Sequence, residues 1–177
     1  MSIIKFSLLV CSSLLISAFV LNKSAKWEIK KGYKIEFSGT DAEGIFKTFS
    51  GEIQFDKTNI DSAYCNLIID VKSINTGNGM KNKHALSKNW FSAEKYPTIE
   101  FSSKSFTKSK NKYSVTGTLK IHGIEKEITI PFNFENSTFT SSFSVNRLDY
   151  QVGTMKGMMK KVSNEIKLDF SIPVSNQ

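Results

Sequence analysis

Apolar side chains fall on alternate positions through nearly the whole chain, and this two-residue period constrains the fold more than any other feature. Trp27, Ile29, Tyr33, Ile35 and Phe37 take odd positions, with Glu28, Lys30, Lys34 and Glu36 between them. That is the pattern of a strand that buries one face. The parity recurs in Phe49, Ile53 and Phe55, in Cys65, Leu67, Ile69 and Val71, in Ile99 and Phe101, and in Tyr113, Val115, Leu119 and Ile121. Ile128, Ile130, Phe132 and Phe134 follow, then Phe139, Phe143 and Val145, and last Ile166, Leu168, Phe170, Ile172 and Val174. The pattern predicts eight strands, divided by the turn signals "DAEG", "DKTN", "TKSKN", "HGIEKE" and "FENS". Their short connections require antiparallel neighbours. One helix-like insertion interrupts them near residues 80–92, where Ala85, Leu86 and Trp90 share a face.

The chain is therefore all-β and, with no repeat or linker, a single domain. Eight one-face-apolar strands form either a sandwich or a closed barrel. A barrel of that number encloses room for its own side chains or for one slender ligand. Inward parity is rich in phenylalanine, which either fills such an interior or lines a tube for a hydrocarbon. Periodicity alone does not choose.

The first 25 residues have the layout of a signal peptide: Lys5, an uncharged run, then Lys23. The apolar core over residues 6–21 is shorter than the roughly 20 residues of a spanning helix. Export to the periplasm or the exterior is expected, with residues 26–177 as the mature domain. Removing the leader takes Lys5 and Lys23 and no acid, so the net charge falls from +8 to +6. It also removes Cys11, leaving Cys65 alone, and one thiol makes no internal disulfide. The lysines are dispersed and Arg147 is the single arginine. Nucleic-acid modules instead cluster Lys and Arg on one face. A solvated lysine surface is the first reading, and peripheral attraction to an anionic membrane the second.

Catalytic chemistry finds no constellation. His84 and His122 are the two imidazoles and neither has a partner at metal-ligand spacing, so no metal and no cofactor is expected. Cys65 sits mid-strand on apolar parity, where a thiol is an inert core group. His122 precedes Gly123 in a turn and is expected to make a local hydrogen bond. Asp149 beside Arg147 reads as an ion pair or a head-group contact. Met155, Met158 and Met159 form a thioether cluster that either holds Cu(I) or adapts to an apolar ligand. An accessory protein of extracytoplasmic stress or redox, working through a partner or Met-bound copper, is the rival to a ligand carrier.

Several ordered motifs resemble the YceI-like family of exported lipid-binding proteins. They are "SINTGN" at 73–78, His84 followed by "NWFSAEKYPTIEF" at 89–101, "VTGTLKIHGIEKEITIPF" at 115–132, and Arg147 with Asp149 and Tyr150. The resemblance covers residues 27–174. It implies a single eight-stranded antiparallel lipocalin-like barrel with a short helical insertion at its mouth. It further implies a polyisoprenoid or fatty-acid-type ligand, no catalysis, and a homodimer, since family members are often dimers. On that footing Phe37, Phe49, Phe101, Phe143, Trp90 and Phe91 are the candidate wall and mouth, and His84, Lys81 and Arg147 the polar end. The family's Arg-Asp-x-His run stands here as Lys81, Asn82, Lys83 and His84, which leaves head-group preference open.

Overall fold

The computed structural model describes residues 25–110, 112–154 and 161–177. The leader, apart from Ala25, and the Met155, Met158 and Met159 cluster lie outside the described residues.

Eleven strand segments make one closed wall. They are β1 (Lys26–Ile29), β2 (Lys34–Gly39), β3 (Ala42–Phe46), β4 (Phe49–Gln54), β5 (Tyr64–Asp70), β6 (Ile74–Asn75), β7 (Thr98–Ser109), β8 (Lys112–Ile121), β9 (Ile124–Glu135), β10 (Thr138–Asn146) and β11 (Glu165–Asn176). The first six are three long strands, each broken once. β1 and β2 flank a turn, β3 and β4 flank Lys47 and Thr48, and β5 and β6 flank the 3-10 turn Val71–Ser73. β1 pairs with β4 and β2 with β3, and the continuation holds for β4 with β5 and β3 with β6. β11 then joins β10 on one side and both β1 and β2 on the other. The ring thus closes as eight antiparallel strands in chain order, with β1 returning to β11, the barrel implied above.

Two local expectations change. "DAEG" is not wholly a turn, because Ala42–Phe46 is strand. Gly44 lies there beneath a neighbour's ring: a Cβ on it would stand 2.8 Å from Phe37 Cζ and 2.6 Å from the Asn75 carbonyl oxygen. The glycine serves close packing, not chain reversal. The helix α1 spans Gly79–Leu86, earlier and shorter than the 80–92 insertion. The chain then turns, with Phe91 N–H donating to Ala85 O and Ala93 N–H to Leu86 O. Trp90 therefore reaches the barrel from a turn and not from a shared helical face.

The interior divides in two along the barrel axis. At the end holding the β7–β8 and β9–β10 turns, Phe55 is 1% exposed and meets Tyr113, Phe132, Phe134 and Phe139 edge-on at 5.2 to 5.5 Å. Trp27 packs edge-on against Phe134 and donates its indole N–H to Phe55 O at 2.8 Å. Each such ring pair adds about 0.5–1.5 kcal/mol beyond its burial. This aromatic floor closes the barrel. The other end is a chamber.

Candidate functional site

The chamber has a volume of about 630 Å³. Scaled from an apolar cavity of about 150 Å³ that holds benzene, it accommodates roughly 25 carbon-sized atoms. Its wall is made by inward positions of all eight strands, among them Phe37, Phe46, Phe49, Leu67, Ile69, Phe101, Val115, Phe143, Leu168 and Phe170. The phenylalanines therefore do both things that periodicity allowed, filling the floor and lining the tube. All nine candidate site residues, Phe37, Phe49, Phe101, Phe143, Trp90, Phe91, His84, Lys81 and Arg147, border this one space.

At the chamber's upper end α1 forms part of a rim. Asn78 caps the helix, its Oδ1 accepting from Met80 N–H at 2.9 Å and Lys81 N–H at 3.1 Å. Asn82, one turn on, accepts from the Thr76 N–H at 2.9 Å and the Thr76 hydroxyl at 2.8 Å. The position that departs from the family's acidic residue is thus a fastening of the helix to its preceding loop, and an amide oxygen performs it. Lys81 and His84 are exposed on the rim, together with Asp41 and Glu43. The rim carries both signs of charge.

Arg147 is 7% exposed and is the one buried charged residue among the described residues. Its five N–H groups are all committed to the chain. Nε donates to Ser163 O at 3.0 Å, Nη1 to Val152 O at 2.7 Å and Gly153 O at 2.6 Å, and Nη2 to Val162 O and Asn164 Oδ1, each at 3.2 Å. The expected Arg147 and Asp149 pair does not form: Asp149 faces Lys126, Oδ2 to Nζ 3.6 Å. Burial accordingly holds the guanidinium pKa below its ordinary value. Its flat face lies 5.4 Å from the Trp90 ring, a cation–π arrangement. Arg147 thus borders the chamber as a clamp on residues 152–153 and 162–164, with no donor left for a head group.

Sequence reasoning missed Gly153. Its φ is +66°, and a Cβ there would come 2.6 Å from Trp90 Cζ3 and 3.0 Å from Arg147 Nη1. Only its spacing after Arg147 hints at the clamp. His122 departs from the local hydrogen bond expected of it: its Nδ1 lies 3.2 Å from Tyr150 O, 28 residues along the chain. Cys65 lines the chamber, and burial pushes its thiol up to about 12. It carries no nucleophilic thiolate near neutrality. No cluster of three or more His, Cys, Asp or Glu side chains suited to a metal occurs among the described residues.

Fold and site together define a class: a closed eight-stranded antiparallel barrel around an apolar chamber with a helical rim. Within that class the chain belongs to the YceI-like domain family, which matches residues 22–174. A UPF0312 protein of Vibrio campbellii is 30% identical over 138 residues, 72% of each chain. Protein YceI of Salmonella newport is 26% identical over 139 residues, covering 73% of this chain and 71% of that one. Burkholderia cenocepacia BcnA superimposes with a TM-score of 0.76 at 28% identity, covering 84% of this chain and 99% of the other. A polyisoprenoid binding domain from Saccharophagus degradans shares the fold, with a TM-score of 0.62 at 14% identity over 85% of this chain and 98% of the other.

Proposed function

We propose that the protein binds a long-chain apolar lipid, of polyisoprenoid or fatty-acid type, inside the barrel, and carries or stores it outside the cytoplasm. The observation that carries this reading is the 630 Å³ chamber, walled by inward Phe, Ile, Leu and Val and floored by packed rings. Burial of a hydrocarbon there gains roughly 25 cal/mol per Å², less the cost of ordering the chain. The name of the Saccharophagus degradans neighbour adds support through its ligand class. The rim, with Lys81 and His84 beside Asp41 and Glu43, suits a neutral or weakly charged head better than a strong anion. The leader pattern of residues 1–25 supports export.

Organic-solvent extraction of protein purified without detergent, followed by mass spectrometry, tests the reading. Recovery of a lipid in near-stoichiometric amount is expected. No recovered lipid, together with no uptake of added polyprenol or fatty acid, would overturn it.

A further inference from the structure

Among the described residues, the ladder of the closed ring is short on one side. β8 and β9 pair without interruption from Tyr113 opposite Phe132 to Ile121 opposite Ile124. β10 and β11 do the same from Thr138 opposite Pro173 to Asn146 opposite Glu165. Between β9 and β10 the ladder holds only from Thr138 opposite Glu135 to Thr140 opposite Asn133. Residues 141–146 of β10 therefore have no strand partner toward β9 among the described residues. Pairing stops at a built end: the Ser141 hydroxyl donates to Pro131 O at 2.6 Å, and proline has no N–H with which to continue a ladder.

The gap has four sides. The short ladder closes it below, and β9 and β10 flank it. Above, the 3-10 turn Arg147–Tyr150 crosses from the end of β10 to the start of β9. It is fastened there by the His122 Nδ1 contact to Tyr150 O at 3.2 Å and the Lys126 to Asp149 pair at 3.6 Å. Six residues of extended chain make the opening about 20 Å tall. The chamber reaches it, since Thr140 and Ser141 both border the chamber. Successive strand residues face opposite ways, so both can do so only where the space passes the strand's edge.

We propose that this side window is the passage by which the lipid's hydrocarbon chain enters and leaves the chamber. The inference rests on the carrier reading above. A tall slot admits a chain lengthwise, whereas the α1 rim would require end-on threading past Trp90, which stacks on the Arg147 clamp, and past Phe91, whose ring packs against Phe46 at 6.2 Å. The window's edges are unpaired backbone, so passage through it breaks no ladder hydrogen bond between β9 and β10.

The test staples the window. Thr129→Cys and Ser144→Cys place thiols on the exposed outer faces of β9 and β10, opposite one another had the ladder continued. A short bismaleimide joins them, and a second variant, Glu43→Cys with Lys81→Cys, staples the rim. Stopped-flow binding of a dansyl-labelled long-chain fatty acid, and its release to phosphatidylcholine vesicles, are followed before and after crosslinking. The window staple should slow binding and release alike, by about tenfold or more, with Kd nearly unchanged, because a blocked passage affects both directions equally. Unchanged rates with the window staple, or slowing by the rim staple alone, overturn the proposal. If the uncrosslinked protein binds neither this probe nor a fluorescent polyprenol, the carrier reading itself fails.

Discussion

Arg147 shows how a residue singled out as a ligand contact can be spent on the fold. Five donors meet five acceptors, so a lysine, with three donors and no planar fork, leaves carbonyls buried and unpaired. Each costs about 1–3 kcal/mol, and with at least two left unpaired Arg147→Lys is expected to lower unfolding free energy by about 2–6 kcal/mol in urea titrations. Gly153→Ala meets the Trp90 ring and a positive φ; a loss of about 1–3 kcal/mol, with shifted tryptophan fluorescence, is expected. Cys65 gives a pH signature. Its thiol is raised by burial from an ordinary value near 9 to about 12, so below pH 9 native and unfolded chains both hold the proton and stability does not respond. Between about 9 and 12 only the unfolded chain releases it, and stability falls with rising pH by about 1.4 kcal/mol per unit. Cys65→Ala removes that component, so the stability difference between the two proteins should drift steadily across this range. A constant difference would mean that the thiol ionises freely in the native barrel.

At the level of elements, α1 depends on Asn82, an asparagine that looks like a substitution away from a charged motif. Because Asn82 accepts twice from Thr76, Asn82→Asp should preserve helix and stability, while Asn82→Leu loses both bonds and costs about 1–2 kcal/mol. Hydrogen exchange at the 76–86 amides separates the two outcomes. The same element shows what was legible in the sequence. Period-two parity located all eight strands of the ring, because each buries one face against a common interior. It missed β3, where Gly44 under the Phe37 ring carries the letter of a turn for a reason of packing. It misplaced the helix, because Leu86 and Trp90 both pack on the core, one from the helix end and one from a turn. The inward Phe positions were legible by parity alone. That Arg147 clamps the chain, and that β9 and β10 part after Thr140, depends on hydrogen bonds between distant segments, which no local pattern encodes.

Over the whole molecule, the aromatic floor supplies rigidity and the chamber forgoes it. In lipid-free protein a chamber of about 630 Å³ adds nothing to stability, since a lining without partner atoms loses their dispersion contacts. Stability and binding therefore compete for the same volume. Val115 faces inward from β8, is 6% exposed and borders the chamber, so Val115→Phe places a ring where ligand would lie. In lipid-free protein the ring restores contacts, and Tm should hold or rise. The lipid recovered by extraction should fall by about tenfold or more, and the rise in Tm on adding lipid, worth about 2.7 kcal/mol at a hundredfold excess over Kd for the native chamber, should shrink with it. A variant that loses Tm and keeps its lipid would place the ligand elsewhere and leave the chamber as a packing defect. Opposite signs for the two measurements are what a barrel kept open for a guest requires.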